Sequence, residues 1–134
     1  MHMTKILRNV LIAVLLTGFA TAAAMADDEK AANKWRIEVS EGANSDGTIR
    51  LMAIPTGGAE TEVAVNISKG RGENEVAHDI RDAVTRAIDP VNYKVEIDDG
   101  EDVLIKKTSD KVPDFRVVYL DSTVKSVRIK VERE

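Results

Sequence analysis

Apolar and polar residues alternate in a series of short segments along the chain. In the first segment, Trp35, Ile37 and Val39 are separated by charged residues, which is the period-two pattern of a half-buried β-strand. The same alternation, bounded by Gly, Pro, Asp and Ser, predicts further strands. These are expected over residues 48–54, 62–68, 93–97, 103–105, 115–119 and 127–131.

The hydrophobic period changes between residues 74 and 88. In this segment Val76, Ile80, Val84 and Ile88 recur at helical spacing, with small alanine side chains beside them. An Asp-Pro pair follows, and the residue before a proline disfavours the helical conformation. The pattern therefore predicts one helix whose flat, small-residue face packs on a sheet.

Taken together, these elements predict an α+β fold. Their expected order is three strands, the helix and two hairpins, written βββ-α-ββ-ββ. Short turns favour antiparallel neighbours, and the Asp-Gly pair at 99–100 is typical of a tight hairpin. We expect one twisted antiparallel sheet of about six to seven strands with the helix packed on it.

The first 26 residues have the pattern of a secretory signal peptide. Lys5 and Arg8 precede an apolar run, and Ala24-Met25-Ala26 supplies small residues for cleavage after Ala26. The run is shorter than the roughly 20 residues of a membrane span, so no transmembrane segment is expected in the mature chain. We expect a flexible leader over residues 27–34, one domain over 35–134, and a periplasmic or secreted location.

Composition excludes several chemistries. The chain has no cysteine, which rules out thiol catalysis, iron–sulfur clusters and cysteine-based zinc sites. Removal of the signal peptide changes the formal net charge from −4 to −6, because only two basic residues leave with it. That acidity argues against nucleic-acid binding, which depends on positive charge. No cofactor is predicted.

Two basic groups are candidate sites for an anion or a partner. The loop 68–72 carries Lys69 and Arg71 together with two glycines before the helix, where backbone N–H groups can receive an anion. The second group lies at polar positions of the predicted C-terminal strands and comprises Lys106, Arg116, Arg128 and Lys130. Solvated loop residues, and charges that keep strand edges from aggregating, are the competing interpretations.

The acidic turn near residue 100 is a candidate metal site. Asp98, Asp99, Glu101 and Asp102 place several carboxylates within one loop, and hard cations such as calcium prefer oxygen ligands. The alternative is a hairpin turn that needs no metal, because Asp-Gly is itself a turn signal.

The sequence favours a non-enzymatic binding protein of the bacterial envelope. In one segment of the chain, a strand and a glycine-containing loop precede a helix that opens with Glu75-Val76-Ala77 and Ile80. This segment resembles small modules of exported bacterial and phage-surface proteins. The expected partner is an envelope or secreted protein, or an anionic surface. One alternative is a structural subunit that self-associates through an edge strand bearing Val127, Ile129 and Val131. Another is a hydrolase that uses Asp98 and Glu101.

Overall fold

The computed structural model describes residues 30–134, and the signal peptide predicted for residues 1–26 lies outside this part. The strands and the helix follow the chain order expected from the sequence. The strands are β1 Lys34–Ser40, β2 Gly47–Pro55, β3 Thr61–Ile67, β4 Tyr93–Asp98, β5 Asp102–Lys107, β6 Phe115–Ser122 and β7 Arg128–Arg133. The helix is α1, Glu73–Ala87. The α+β class, with one helix and seven antiparallel strands in residues 30–134, is confirmed.

The strands form two antiparallel sheets, so the prediction of a single sheet is wrong. One sheet has the order β4-β5-β1-β7 and the other has the order β3-β2-β6. A helix of 15 residues is about 22 Å long, whereas seven strands side by side span about 34 Å. One helix therefore cannot cover the apolar faces of seven strands, and the two sheets contribute to a common core instead.

Strand pairing also departs from the pairing of successive strands and from one of the two expected hairpins. β2 pairs with β3 and β4 with β5, as expected for hairpins. β1 instead pairs with β5 and β7, while β6 pairs with β2. The connection from β6 to β7 crosses between the sheets, and Thr123 N donates to the Thr48 carbonyl there. Side-chain alternation shows which residues face the core, but it does not identify the neighbouring strand.

The core contains inward-facing residues of both sheets and of α1. Trp35 and Ile37 come from the four-stranded sheet, Leu51 from the three-stranded sheet, and Val76 and Ile80 from the helix. Each of these five side chains is at most 1% exposed. No helix in residues 30–134 is long and apolar enough to cross a lipid bilayer.

Ordered structure begins within the segment expected to be a flexible leader. Ala32 forms two backbone hydrogen bonds with Phe115, at 2.9 and 3.0 Å, and Lys34 opens β1. The indole Nε1 of Trp35 also donates to the Phe115 carbonyl at 2.7 Å. These bonds join the start of the four-stranded sheet to the three-stranded sheet.

Candidate functional site

The loop 68–72 uses its backbone donors within the protein. The N–H groups of Lys69, Gly70 and Gly72 donate to protein oxygens at 2.7, 2.9 and 3.1 Å. A loop that cradles an anion points such groups at the ligand. Here these N–H groups hold the loop against neighbouring residues. They are therefore not available to bind an anion.

Arg71 is neutralised by two carboxylates of α1. Its guanidinium lies 2.8 Å from Glu75 and 2.9 Å from Asp79. The hydrogen bond with Asp79 is the main cause of a raised Arg71 pKa. Arg71 therefore secures the start of the helix instead of offering a cation to a ligand.

The four basic residues of the C-terminal strands do not form one stripe. Arg116 lies on β6 in the three-stranded sheet, whereas Lys106, Arg128 and Lys130 lie in the four-stranded sheet. Arg128 and Lys130 are on its edge strand β7, with carboxylate oxygens at 3.6 and 3.5 Å. Lys106 is on β5, toward the other end of the sheet. Of the four, only Lys106 lies beside other lysines on neighbouring strands.

The carboxylates of the β4–β5 hairpin surround an arginine. Asp98 and Asp102 lie 2.9 and 2.6 Å from the Arg36 guanidinium. Asp99 adopts the left-handed conformation of the turn, with φ of 52°. Within residues 30–134 no three or more acidic or histidine side chains are grouped so that they could hold a metal ion.

Arg36 binds a third carboxylate at the end of β7. Glu134 accepts hydrogen bonds at 2.8 and 3.0 Å from the guanidinium. These bonds raise the pKa of Arg36, with Glu134 the largest contributor, and they lower the pKa of Glu134. The Arg36 side chain is 15% exposed. One half-buried cation on β1 thus joins its own strand to β4, to β5 and to the end of β7.

Carboxyl groups lie close to one another beside Arg36 and at the start of α1. The pKa of Glu38 is raised, mainly by a hydrogen bond with Glu132 on the neighbouring strand. The pKa of Glu101 is raised as well, mainly by the negative charge of Glu73. Carboxyl groups therefore outnumber the cations at this end of the sheet, where Arg36 and Lys130 lie among them.

The opposite end of the same sheet carries three lysines in register. Lys34 of β1 pairs with Lys106 of β5, and Lys106 pairs with Lys94 of β4. We call these three residues the lysine row. Side chains directly opposite each other across strands lie about 5 Å apart at Cβ, and like charges there repel.

Two carboxylates, Glu96 and Glu134, lie near the lysine row. Glu96 lies 2.9 Å from the Lys106 ammonium and 3.5 Å from that of Lys94. Its pKa is lowered, chiefly by the hydrogen bond with Lys106. The charge of Lys34 helps to lower the pKa of Glu134, whose carboxylate is bonded to Arg36. The row therefore keeps a surplus of positive charge on the exposed face.

The outer face of the four-stranded sheet is polarised. Four residues along from the lysine row, Glu38, Asp102 and Asp98 are likewise cross-strand partners. We call these three residues the acidic row. Four residues of extended strand span about 13 Å, so the two rows are separated along the sheet, and Arg36 lies between them and binds Asp98 and Asp102.

An exposed apolar side chain lies at the basic end. Val91, in the connection between α1 and β4, is 76% exposed. Its carbonyl accepts a hydrogen bond of 2.6 Å from the Thr108 hydroxyl. Because Thr108 directly follows β5, this bond fixes Val91 beside the strand end that carries Lys106.

The sequence analysis did not identify two members of the lysine row, Lys94 and Lys34. Lys94 could have been found, because a tight turn around Gly100 pairs Asp98 with Asp102 and, by counting back, Lys94 with Lys106. Lys34 could not, because the pairing of β1 with β5 joins segments far apart in the chain.

No protein-family profile matches the chain, and no curated protein sequence is significantly similar to it.

Proposed function

We propose that this chain is an exported, non-enzymatic binding protein that attaches to an anionic lipid surface of the bacterial envelope. The observation that carries the proposal is the lysine row, three cations in register across adjacent strands, two of which share the Glu96 carboxylate. Phosphate groups of lipid headgroups would supply the missing negative charge. Val91 would enter the headgroup region beside them.

The expected attachment is weak and reversible. Each lysine near an anionic membrane contributes about 1 kcal/mol, so the row supplies about 3 kcal/mol. Burial of the exposed Val91 side chain adds about 1.5 kcal/mol. Attachment of this strength is comparable to that of a protein held by a single weak membrane signal, which exchanges between surface and solution.

The polarised sheet explains how an acidic chain approaches an anionic surface. A uniform distribution of the negative charge would repel the protein from the membrane. Here the acidic row lies about 13 Å from the lysine row, farther than a Debye length of about 8 Å in physiological salt. The basic end then meets the surface while the acidic end is screened from it.

Two other functions receive less support. β7 is paired on one side only among the described strands, as self-association by strand addition requires. Its charged residues Arg128, Lys130 and Glu132 are, however, of the type that protects edges from pairing. A hydrolase would need Asp98 as a free carboxylate, and Asp98 is bound to Arg36. We therefore propose a monomer without catalytic activity.

Vesicle flotation of residues 27–134 tests the proposal. Vesicles that contain phosphatidylglycerol should carry the protein upward at low salt, and phosphatidylcholine vesicles should not. High salt should release it, because exposed charges are screened. Equal flotation with both lipids, or none with either, would contradict attachment to an anionic lipid surface. Salt-sensitive capture of one envelope protein without lipid binding would show that the partner is a protein instead.

A further inference from the structure

An apolar pocket opens between the end of α1 and the turn that joins β2 to β3. Its volume is about 360 Å³, and Ile54, Pro55 and Ile88 form part of its wall. Ile105 and Phe115 line it from the core and are 3% and 2% exposed. Mostly apolar pockets with a few polar groups are the usual sites of small ligands, and this volume lies at the small end of their range.

One wall of the pocket is a fixed aromatic pair. The rings of Tyr93 and Phe115 meet edge to face, with centroids 5.0 Å apart and an interplanar angle of 67°. The backbone of Phe115 is held by Ala32 and by the Trp35 indole. Burial is the main cause of a raised Tyr93 pKa, so its phenol stays neutral at neutral pH. The aromatic surface is therefore formed before any ligand binds.

Asp89 is the charged residue among those that line the pocket. Its two oxygens accept hydrogen bonds from Val91 N at 2.9 Å and from the Asn92 side chain at 3.0 Å, which fixes the carboxylate. Within residues 30–134 no cation lies within 4 Å of it. The nearby Lys107 ammonium is bound to Asp114 at 2.8 Å.

The helix end strengthens the negative potential at this rim. Asp89 follows the last residue of α1 by two positions, and the C-terminal end of a helix carries partial negative charge. A cation beside a carboxylate at that position is therefore favoured. The pocket thus combines an apolar floor, an aromatic wall and an uncompensated negative rim.

We infer that this pocket binds a small hydrophobic amine. The apolar body of the ligand packs against Tyr93 and Phe115, and its ammonium group lies at the Asp89 carboxylate. A charge-assisted hydrogen bond and the adjacent aromatic ring both favour a cation at this point. This site is distinct from the lysine row, and it stands whether or not the chain attaches to lipid.

An NMR titration of the chain with three probes of similar shape tests the inference. Phenethylammonium should shift the backbone amides of Ile88 and Tyr93 and bind about tenfold more tightly than phenethyl alcohol. Hydrocinnamate, which carries a carboxylate, should bind most weakly. Equal affinity for the amine and the alcohol, or no shift of these amides up to the solubility limit of the amine, would overturn the inference.

Substitutions separate the charge from the cavity. D89N should weaken phenethylammonium binding about five- to tenfold, while D110N, an equal charge change outside the pocket, should leave it unchanged. Ala87 is exposed at the pocket rim, so A87W should fill the entrance without disturbing the core and should abolish binding. Retained binding in A87W, or equal losses in D89N and D110N, would show that the amine does not occupy this pocket.

Discussion

Lys34 on β1 and Lys106 on β5 are direct cross-strand partners on the exposed face of the four-stranded sheet. At the other end of the same two strands, Glu38 is the partner of Asp102. Like charges therefore face each other at both ends, although exchanging one residue of each pair would convert repulsion into attraction. Arg36 offsets the repulsion at the acidic end, and Glu96 offsets part of it at the basic end. The separation of the two rows along the sheet is the basis for the proposed attachment.

Arg36 is expected to stabilise the sheet more than any exposed ion pair does. R36M removes the cation that Asp98, Asp102 and Glu134 share. We expect the free energy of unfolding to fall by about 1–3 kcal/mol, because hydrogen bonds to charged groups are lost and half-buried carboxylates remain. Chemical denaturation at neutral pH measures this change.

R50M is the matched control for that substitution. Arg50 also binds two carboxylates, at 2.7 and 3.3 Å, but its side chain is 45% exposed. Its loss should change the free energy of unfolding by less than about 1 kcal/mol. Equal losses in the two variants would show that Arg36 is an ordinary surface arginine.

Glu101 should make stability depend on pH in an unusual direction. Its pKa is raised in the folded protein, mainly by Glu73, so the folded state binds the proton more tightly than the unfolded state does. The contribution of Glu101 to stability is present below its unfolded pKa of about 4.3 and is lost as pH rises through the folded pKa. E101Q should therefore raise the Tm at pH 7.

The same comparison at low pH supplies the control. Below the ordinary glutamate pKa both forms of residue 101 are neutral, so the Tm difference between E101Q and the wild type should shrink. E60Q, in the exposed turn between β2 and β3, should behave like the wild type throughout. A lower Tm of E101Q at pH 7 would contradict this prediction, because it would mean that the charge of Glu101 stabilises the fold.

Gly47 tests the crossing of the chain between the two sheets. A Cβ atom at this position would lie 2.8 Å from backbone atoms of Thr123 and Val124, in the connection from β6 to β7. G47A should lower the free energy of unfolding by about 1–3 kcal/mol, because the backbone must move. G72A, whose Cβ would meet its nearest neighbour at 3.6 Å, should cost less than about 1 kcal/mol. Similar losses would argue against the close approach.

The local pattern of apolar and polar residues predicted the strands and the helix of this fold. It did not predict which strands distant in sequence pair with each other. The helix expected over residues 74–88 is Glu73–Ala87, because its apolar spacing is long and regular. The β4–β5 hairpin was predictable from its Asp-Gly turn, where Asp99 and Gly100 both have positive φ. The partners of β1 were not, because no turn links it to β5 or β7.

The lysine row was likewise predictable only in part from the sequence. Lys106 was found from its polar strand position, but it was grouped with Arg116, which the fold places in the other sheet. The grouping assumed that neighbours in sequence are neighbours in space. Lys34 belongs to the site only because β1 pairs with β5 in this register. That pairing depends on the packing of the two sheets and cannot be read from local sequence.

The affinity for phosphatidylglycerol vesicles, measured against salt concentration in two triple variants, tests the central claim most directly. K34Q/K94Q/K106Q removes the lysine row, while K125Q/R128Q/K130Q removes the same number of cations elsewhere. We expect the first variant to lose about a hundredfold in affinity at low salt and most of its salt dependence, with both largely retained in the second. Equal losses in the two variants would contradict the claim, because attachment would then follow total charge and not the row.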